Sequence, residues 1–291
     1  MLSLEQRKKI LSSLKEDIST GDVTTALVPK QKCKAVIYAK SSGVLAGLEE
    51  AVYLFKSRKI KVKSFSKDGS KIIKGKKIIS LEGFNKDILE CERTALNFLG
   101  RMSGVATLAV KAKSVSKVMV AATRKTIPLF NEFDKKACEI AGIFPHRKNL
   151  NSAVLLKENH LVFFSSPFEA VVKAKEKYEN KKIKEKSKLN KAGIKKLKIE
   201  VEVTDLNEAL NALGAEPDII MLDNFSLSNA GKAINQMRRI SPKTKIELSG
   251  GINLKNLRNY SLLMPDFISL GEITKNARQV DYSLKILGMK K

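Results

Sequence analysis

From residue 118 onward, short apolar runs alternate with longer amphipathic stretches. The apolar runs are rich in β-branched residues and predict buried strands at 118–122, 153–156, 199–203, 218–222, 245–248 and 266–270. The spacing of apolar positions predicts helices at 131–141, 166–178, 205–213, 226–239 and 253–261. Strands and helices that alternate in this way imply parallel strands with helical crossovers. The pattern therefore predicts a closed or nearly closed β/α barrel.

The first part of the chain has a different pattern, which predicts a smaller α+β unit. A capping box at Ser3 and Gln6 begins a helix over roughly 4–15. Strands are expected at 35–40, 60–65 and 76–80.

A long helical stretch follows at about 86–115, and Gly100 and Gly104 favour its division into two helices. The apolar pattern resumes at 279–288, after the last barrel strand, and predicts a return to the first domain. The predicted domains are 1–115 with the return segment 279–291, and a barrel over 116–278.

Polar or glycine residues follow each predicted barrel strand at its C-terminal end. They are Arg124, Lys125, Lys157, Glu202, Asp223, Ser249, Gly250, Gly251 and Gly271. The C-terminal ends of barrel strands meet on one face, where barrel enzymes carry their active sites. We therefore expect these residues to form a single site.

The cationic residues of this set suit anion binding. Arg124 offers a guanidinium fork and Lys125 a point charge, although a solvated loop after a strand would look the same. His146 stands next to Arg147 in a loop between strands, and such a pair can bind an anion. The only other histidine, His160, lies just after Lys157.

Two carboxylates and two glycine turns complete the set. Glu202 and Asp223 could hold ribose hydroxyls or a hydrated Mg²⁺, or be solvated strand ends. Ser249, Gly250 and Gly251 precede a helix, where backbone N–H groups favour a phosphate, and Gly271 follows the next strand. Together these residues suit a phosphorylated sugar and an acidic co-substrate.

The net charge of +25 makes nucleic acid a candidate partner, but it also fits a surface in which lysine is simply common. The densest stretch, 173–198, holds twelve lysines together with glutamates, which suits a solvated helix and loop. A basic field would also concentrate phosphorylated substrates. We expect nucleic-acid binding to be absent because no nucleic-acid module is recognisable.

Composition also bounds the location of the protein. No apolar run approaches the roughly 20 residues of a membrane span, and the N-terminus lacks the features of a signal peptide. Cys33, Cys91 and Cys138 are odd in number and lack metal-like spacing. Free thiols in a reducing cytoplasm are therefore expected.

An ordered set of motifs resembles the quinolinate phosphoribosyltransferase family, also called carboxylating nicotinate-nucleotide pyrophosphorylases. The motifs are Glu16-Asp17 to Gly21-Asp22-Val23-Thr24, Gly43-Val44-Leu45-Ala46-Gly47, Glu92-Arg93-Thr94, Ser103-Gly104-Val105-Ala106-Thr107, Thr123-Arg124-Lys125-Thr126, His146-Arg147, Lys157-Glu158-Asn159-His160, Glu200-Val201-Glu202-Val203, Leu222-Asp223-Asn224-Phe225 and Ser249-Gly250-Gly251-Ile252. The resemblance implies an α/β fold with an N-terminal α/β sandwich domain and an incomplete parallel, TIM-like β/α barrel.

The resemblance also implies a reaction, in which quinolinate and phosphoribosyl pyrophosphate give nicotinate mononucleotide, pyrophosphate and CO₂ with Mg²⁺. Arg124, His146, Arg147 and Lys157 would hold the quinolinate carboxylates. Lys125, Glu202 and Asp223 would contact the phosphosugar and its metal, and Ser249, Gly250, Gly251, Gly271 and Lys275 its phosphate. Lys125, Lys157, Glu202 and Asp223 would be the catalytic residues. Arg93 would reach into a partner subunit's site, so a homodimer or larger assembly is implied.

Two departures from the family pattern leave alternatives. Pro145 precedes His146 where the family has glycine and asparagine residues, and it resembles a related branch linked to molybdenum-transport loci. Glu272 follows Gly271 and would repel a phosphate if it faced inward. The same chemistry on a different acidic base is therefore an alternative. A second alternative is a barrel without activity that binds nucleic acid through its basic surface.

Overall fold

The computed structural model describes residues 1–179 and 197–289. The larger part of the lysine-rich stretch 173–198 lies outside the described residues, so its predicted helix and loop stay a prediction. The chain folds into two compact units. The first unit comprises Met1–Lys111, Thr126–Ile143 and the chain from Ile273 onward; the second comprises Ala112–Lys125 and Phe144–Glu272.

The helices and strands follow the chain order expected from the sequence pattern. The helices are α1 (Leu4–Ile18), α2 (Val23–Ala26), α3 (Leu48–Ser57), α4 (Asn85–Val115), α5 (Asn131–Ile140), α6 (Glu158–Leu161), α7 (Pro167–Glu179), α8 (Leu206–Gly214), α9 (Leu227–Ile240), α10 (Leu257–Ser261) and α11 (Glu272–Lys275). The strands are β1 (Lys32–Ala39), β2 (Gly43–Val44), β3 (Lys61–Ser64), β4 (Lys71–Ile72), β5 (Lys77–Phe84), β6 (Met119–Ala122), β7 (Val154–Leu156), β8 (Ile199–Val203), β9 (Ile219–Asp223), β10 (Lys245–Ser249), β11 (Phe267–Leu270) and β12 (Tyr282–Met289).

The first unit is built on a four-stranded antiparallel sheet with the order β12-β1-β5-β3. The last strand, β12, pairs with β1, with Tyr282 opposite Ala39. The apolar segment expected at 279–288 therefore joins the sheet of the first unit as an edge strand. Side chains on both faces of this sheet, among them Val36, Ile37 and Ile79, are buried and belong to the core of this unit.

Helix α4 runs without a break for 31 residues, so the expected division at Gly100 and Gly104 is wrong. Both glycines instead allow the chain after α11 to pack closely on the helix. A Cβ at Gly104 would lie 2.3 Å from the carbonyl oxygen of Arg278, and one at Gly100 would lie 3.1 Å from that of Val280. A helix tolerates single glycines when packing compensates for their lower helix propensity.

Hydroxyl groups of α4 hold the segment around β2. The Ser103 hydroxyl accepts the Ala46 N–H at 3.0 Å and donates to the Ala46 carbonyl at 3.1 Å. The Thr107 hydroxyl accepts the Val44 N–H at 2.8 Å. Ser103 and Thr107 therefore have a structural role within the first unit. They satisfy backbone groups that would otherwise be buried without hydrogen-bond partners.

The second unit contains a six-stranded parallel sheet with the order β6-β11-β10-β9-β8-β7. Its central strands consist mainly of consecutive buried residues, and every residue of β11 is buried. This pattern is typical of a parallel sheet covered on both faces. Strands β6 and β7 are the two ends of this order, so the barrel is incomplete. The predicted α/β fold, with an N-terminal α/β domain and an incomplete TIM-like barrel, is confirmed.

The carboxyl ends of all six parallel strands lie along one edge of this sheet because the pairing is in register. Asp223 of β9 is paired with Ser249 of β10, and Glu202 of β8 precedes the pair Val203 and Leu222. The fold therefore brings the predicted strand-end residues to one edge. Across 1–179 and 197–289, the helices are too short or too polar to cross a membrane.

Candidate active site

A cavity of about 340 Å³ opens at the carboxyl ends of the parallel strands. Eight predicted residues line it: Arg124, Lys125, His146, Arg147, Lys157, Glu202, Asp223 and Ser249. A groove of about 530 Å³ in the first unit is larger, but residues of strand edges and turns line it, such as Lys32, Lys59 and Glu82. Because convergent polar groups rather than volume define a binding site, the smaller cavity is the candidate.

Arg124 and Lys125 leave the end of β6 and line one wall of the cavity. The Lys125 side chain crosses Gly271, where a Cβ would lie 3.2 Å from Lys125 Cδ and 3.9 Å from Nζ. A larger residue at position 271 would therefore displace the lysine. Glycine at position 271 leaves room for the Lys125 ammonium group, which lies above this turn.

The segment before His146 lies along β6 and extends the parallel sheet by one bridge. The Phe144 N–H donates to the Val120 carbonyl and its carbonyl accepts the Ala122 N–H, both at 2.9 Å. Pro145 then turns the chain, and His146 adopts a left-handed φ of 54°. The family pattern is altered here, but the backbone bonds of Phe144 still place His146 and Arg147 at the cavity.

Both ring nitrogens of His146 are engaged inside the protein. Nδ1 accepts the backbone N–H of Arg147 at 2.8 Å. Nε2 lies 3.0 Å from Glu247 Oε2 and 3.4 Å from Glu200 Oε2. The side chain of His146 is only 10% exposed, and the two glutamates are buried below it. The ring therefore lines the cavity and contacts the two buried glutamates through Nε2.

Burial is the largest influence on the pKa of His146 and lowers it, but the hydrogen bonds and charges of Glu200 and Glu247 outweigh burial and raise it to about 9. Burial, with the charge of Glu200, raises the pKa of Glu247 to about 7. A proton on Nδ1 would break the hydrogen bond from Arg147, so the geometry and the high pKa of the ring conflict. The hydrogen bond decides between them, because its acceptor must be unprotonated. His146 is therefore a neutral ring with its hydrogen on Nε2, which faces Glu247.

The same three residues, His146, Glu200 and Glu247, place one candidate metal ligand each within 4.8 Å of one another. A metal-binding imidazole coordinates through one nitrogen and donates a hydrogen bond through the other. His146 has the opposite arrangement, because Nδ1 accepts a hydrogen bond and Nε2 must carry the hydrogen. This chemistry does not fit a metal centre.

Lys157 and Glu202 form an ion pair at the ends of the neighbouring strands β7 and β8, and both line the cavity. Just beyond Lys157, His160 Nδ1 accepts the Lys157 N–H at 3.0 Å and so caps the short helix α6. The second histidine therefore fixes the backbone that carries the lysine. Glu202 is partly buried and lines the cavity together with Asp223.

The turn after β10 is built on two glycines in the left-handed region. Gly250 and Gly251 adopt positive φ angles of 78° and 62°. A Cβ at Gly250 would lie 2.4 Å from Asn224 Oδ1 and 2.5 Å from the Asn224 backbone nitrogen, so only glycine fits there. Asn224 also donates its backbone N–H to the Ser249 carbonyl at 3.0 Å. The turns after β9 and β10 therefore form one rigid surface.

Glu272 is held by a backbone hydrogen bond at this turn, and its predicted effect on a phosphate stays a prediction. Its Oε2 accepts the Leu254 N–H at 3.0 Å and ties down the loop that follows Gly251. Lys275 and Arg93 belong to the first unit and are exposed, and neither lines the cavity. Their predicted roles stay predictions.

Glu200 and Glu247 are the functional residues that were not selected from the sequence as site residues. A detectable signal exists, because each is a charged residue inside an otherwise apolar strand. Such a charge needs a buried partner. The partner, His146, is distant in sequence and could not be assigned without the fold.

The cavity thus combines four cationic side chains and two strand-end carboxylates on a β/α barrel, and the glycine turn follows its lining residue Ser249. This arrangement defines a class of proteins that bind a phosphorylated, acidic ligand at the carboxyl edge of a barrel. Comparison with known proteins places the chain within this class. It belongs to the quinolinate phosphoribosyltransferase family: residues 22–103 match the model of the quinolinate phosphoribosyl transferase N-terminal domain and residues 103–285 that of the C-terminal domain.

Relatives agree along nearly the whole chain. A probable carboxylating nicotinate-nucleotide pyrophosphorylase of Archaeoglobus fulgidus is 38% identical over 92% of this chain and 98% of its own. The carboxylating nicotinate-nucleotide pyrophosphorylase of Rattus norvegicus is 34% identical over 94% of this chain and 89% of its own. The solved nicotinate-nucleotide pyrophosphorylase of Francisella tularensis superposes with a TM-score of 0.86 at 33% identity, covering 97% of this chain and 96% of its own.

Proposed function

We propose that this protein converts quinolinate and phosphoribosyl pyrophosphate to nicotinate mononucleotide, pyrophosphate and CO₂, a step of NAD biosynthesis. The observation that carries the proposal is the single cavity in which Arg124, Arg147 and Lys157 lie with Glu202 and Asp223 at the edge of the barrel. Family membership and the names of the relatives support it.

The cationic side chains suit the dicarboxylate. Arg124 and Arg147 offer planar guanidinium groups, which bind carboxylates through paired hydrogen bonds, and Lys157 adds a third cation. Burial and the nearby charge of Arg124 lower the pKa of Arg147. An incoming dianion therefore relieves the repulsion between the two arginines as it binds. Their role is to bind the pyridine ring and orient its nitrogen toward the sugar.

The backbone of Ser249, Gly250 and Gly251 suits the 5′-phosphate, and Lys125 lies above Gly271 where a second anionic group can bind. The pyridine nitrogen forms a bond to C1 of the ribose, and the bond from C1 to the pyrophosphate oxygen breaks with its electron pair on pyrophosphate. The carboxylate beside the nitrogen then leaves as CO₂, its electron pair passes to the ring carbon next to the cationic nitrogen, and a proton from water replaces it.

Glu202 and Asp223 end adjacent strands and offer oxygen atoms to the cavity, which fits Mg²⁺ because this ion takes one or two carboxylates together with phosphate oxygens and water. When bound, Mg²⁺ would neutralise the charge of the pyrophosphate leaving group. Glu202 and Asp223 would also stabilise positive charge on the sugar carbon as the pyrophosphate departs. Lys157 keeps Glu202 in place through their ion pair.

The assembly and location of the protein are part of the same proposal. Arg93 is exposed on α4 in the first unit, which suits a role in a partner subunit's site within a homodimer. A cytoplasmic location is supported by three buried cysteines, all with free thiols.

The test is turnover by the purified protein with quinolinate, phosphoribosyl pyrophosphate and Mg²⁺. We expect nicotinate mononucleotide, pyrophosphate and CO₂ in equal amounts. Nicotinate, which lacks the second carboxylate, and other ring dicarboxylates serve as matched substrates. A protein that makes no nicotinate mononucleotide under any of these conditions would contradict the proposal, and faster turnover of another acid would reassign the substrate.

A further inference from the structure

His146 lies on two buried glutamates, Glu200 and Glu247, and both His146 and Glu247 line the cavity. The relative exposure of Glu200 is 1% and that of Glu247 is 0%. Each has one carboxylate oxygen, Oε1, that is buried without a hydrogen-bond partner. Burying two carboxylates in this way is unfavourable unless they serve a purpose, because a buried charge loses its hydration.

The cluster leads directly to Arg147. Glu247 Oε2 lies 3.0 Å from His146 Nε2, and His146 Nδ1 lies 2.8 Å from the Arg147 backbone nitrogen. His146 has a left-handed φ of 54°, which is uncommon for a residue other than glycine, and its ring contacts stabilise this conformation. The backbone of Arg147 therefore depends on the orientation of the His146 ring.

The charges around Arg147 also indicate that the cluster stabilises this arginine. Burial lowers the pKa of Arg147 and the charge of Arg124 lowers it further, whereas Glu200 and Glu202 oppose this effect. Two arginines that face one cavity repel each other until an anion arrives. The buried carboxylate of Glu200 supplies negative charge on the interior side and favours a charged Arg147 at the cavity wall in the free protein.

We propose that Glu247 and Glu200 are positioning residues that hold the His146 ring and thereby hold Arg147 in its substrate-binding position, and that His146 itself does not contact the substrate. The inference deepens the proposed function and rests on it. It also changes the role expected for His146, because neither ring nitrogen is left for a carboxylate of the substrate.

The first experiment compares Glu247→Leu with Glu247→Gln. Leucine removes the acceptor of the Nε2 hydrogen, and glutamine keeps an acceptor oxygen but removes the charge. We expect Glu247→Leu to raise KM for quinolinate about tenfold or more, with KM for phosphoribosyl pyrophosphate changed less than about twofold, and Glu247→Gln to recover most of this loss. Equal loss for both substrates, or no loss, would overturn the proposal.

Glu50→Gln is the matched control, because Glu50 is also fully buried with one unpartnered carboxylate oxygen but lies in the first unit. It should change melting temperature without changing either KM. If Glu247→Leu does not fold, Glu200→Leu takes its place with the same expected KM pattern, and an unchanged KM for quinolinate in that variant would overturn the proposal.

A second experiment needs no turnover. The chain has two histidines, so nitrogen NMR of histidine-labelled protein shows two rings, and His160→Gln identifies the signals of His146. We expect one protonated and one unprotonated nitrogen in His146 at neutral pH, unchanged in type when quinolinate saturates the protein. Two protonated nitrogens that shift on binding would show a direct ligand and overturn the proposal.

The two arms separate failure of this inference from failure of the proposed function. If the wild-type protein makes no nicotinate mononucleotide, the proposed reaction fails, whereas the His146 signals still report the hydrogen bonds of the ring. If the wild type is active and Glu247→Leu changes both KM values equally, only the inference fails.

Discussion

Arg124 shows how a single side chain can determine which substrate is bound. Its guanidinium can grip a carboxylate through two parallel hydrogen bonds, and no neighbouring side chain in the cavity offers the same fork except Arg147. Arg147 is fixed by its own backbone contacts, and Lys125 lies over Gly271, so neither can take the place of Arg124.

Arg124→Ala should therefore raise KM for quinolinate about thirtyfold or more, which corresponds to the loss of about 2 kcal/mol or more of a charged hydrogen-bonded pair. Arg124→Lys should recover little, because an ammonium keeps the charge but loses the fork. Steady-state kinetics with each substrate varied in turn provide the measurement. Arg239→Ala, which removes an exposed arginine from α9, is the control. Near-normal kinetics of Arg124→Ala would remove Arg124 from the substrate site.

At the scale of elements, the glycines of α4 show why a sequence pattern can be interpreted wrongly. Gly104 lies in the middle of a long helix, where glycine lowers stability relative to alanine. The backbone of Arg278 approaches so closely that an alanine Cβ would lie 2.3 Å from its carbonyl oxygen. Gly231 of α9 offers a contrast, since a Cβ there would meet only Leu263 Cδ2 at 3.4 Å.

Gly104→Ala should destabilise the protein by about 1–3 kcal/mol, because overpacking against backbone outweighs the gain in helix propensity. Gly231→Ala should instead stabilise it by about 0.4–1 kcal/mol, because the site has room and the helix gains. Thermal melting of both variants beside the wild type tests the difference in sign. Equal shifts of both melting temperatures in the same direction would show that the close approach of Arg278 does not determine the effect of Gly104→Ala.

The order of helices and strands was predictable because the spacing of apolar residues and the apolar runs are local properties of the sequence. The six parallel strands lie within one residue of their expected bounds, and the strand-end residues meet because parallel strands share an edge. Long-range contacts were not predictable in the same way. The unbroken helix α4 depends on Arg278, and the internal contacts of His146 depend on Glu247, 101 residues further along the chain.

At the scale of the whole molecule, the net charge of +25 and the composition of the cavity have to be considered together. A basic protein attracts polyanions, but the carboxylates and glycine turns at the strand ends have no role in nucleic-acid binding. A general positive field would instead raise the local concentration of phosphorylated substrates and their rate of arrival. The charge is therefore consistent with the proposed reaction without requiring a nucleic-acid partner.

The last prediction concerns Arg93 and the number of chains that build one site. If Arg93 of one subunit completes the site of the other, a heterodimer of Arg93→Ala with Arg124→Ala has one site with both arginines and one with neither. At quinolinate concentrations below the wild-type KM both parents should be nearly inactive. Random exchange of subunits should then recover about a quarter of wild-type activity, since half of the dimers are mixed and half of their sites are intact.

The measurement is activity after the two variants are unfolded and refolded together, compared with each refolded alone. Arg147→Ala mixed with Arg124→Ala is the matched control. Both residues line the same cavity of the second unit, so every site in that mixture lacks one of them and no activity should return. If the Arg93→Ala mixture is no more active than its parents, Arg93 does not act across subunits, and a site completed by one chain becomes the simpler interpretation.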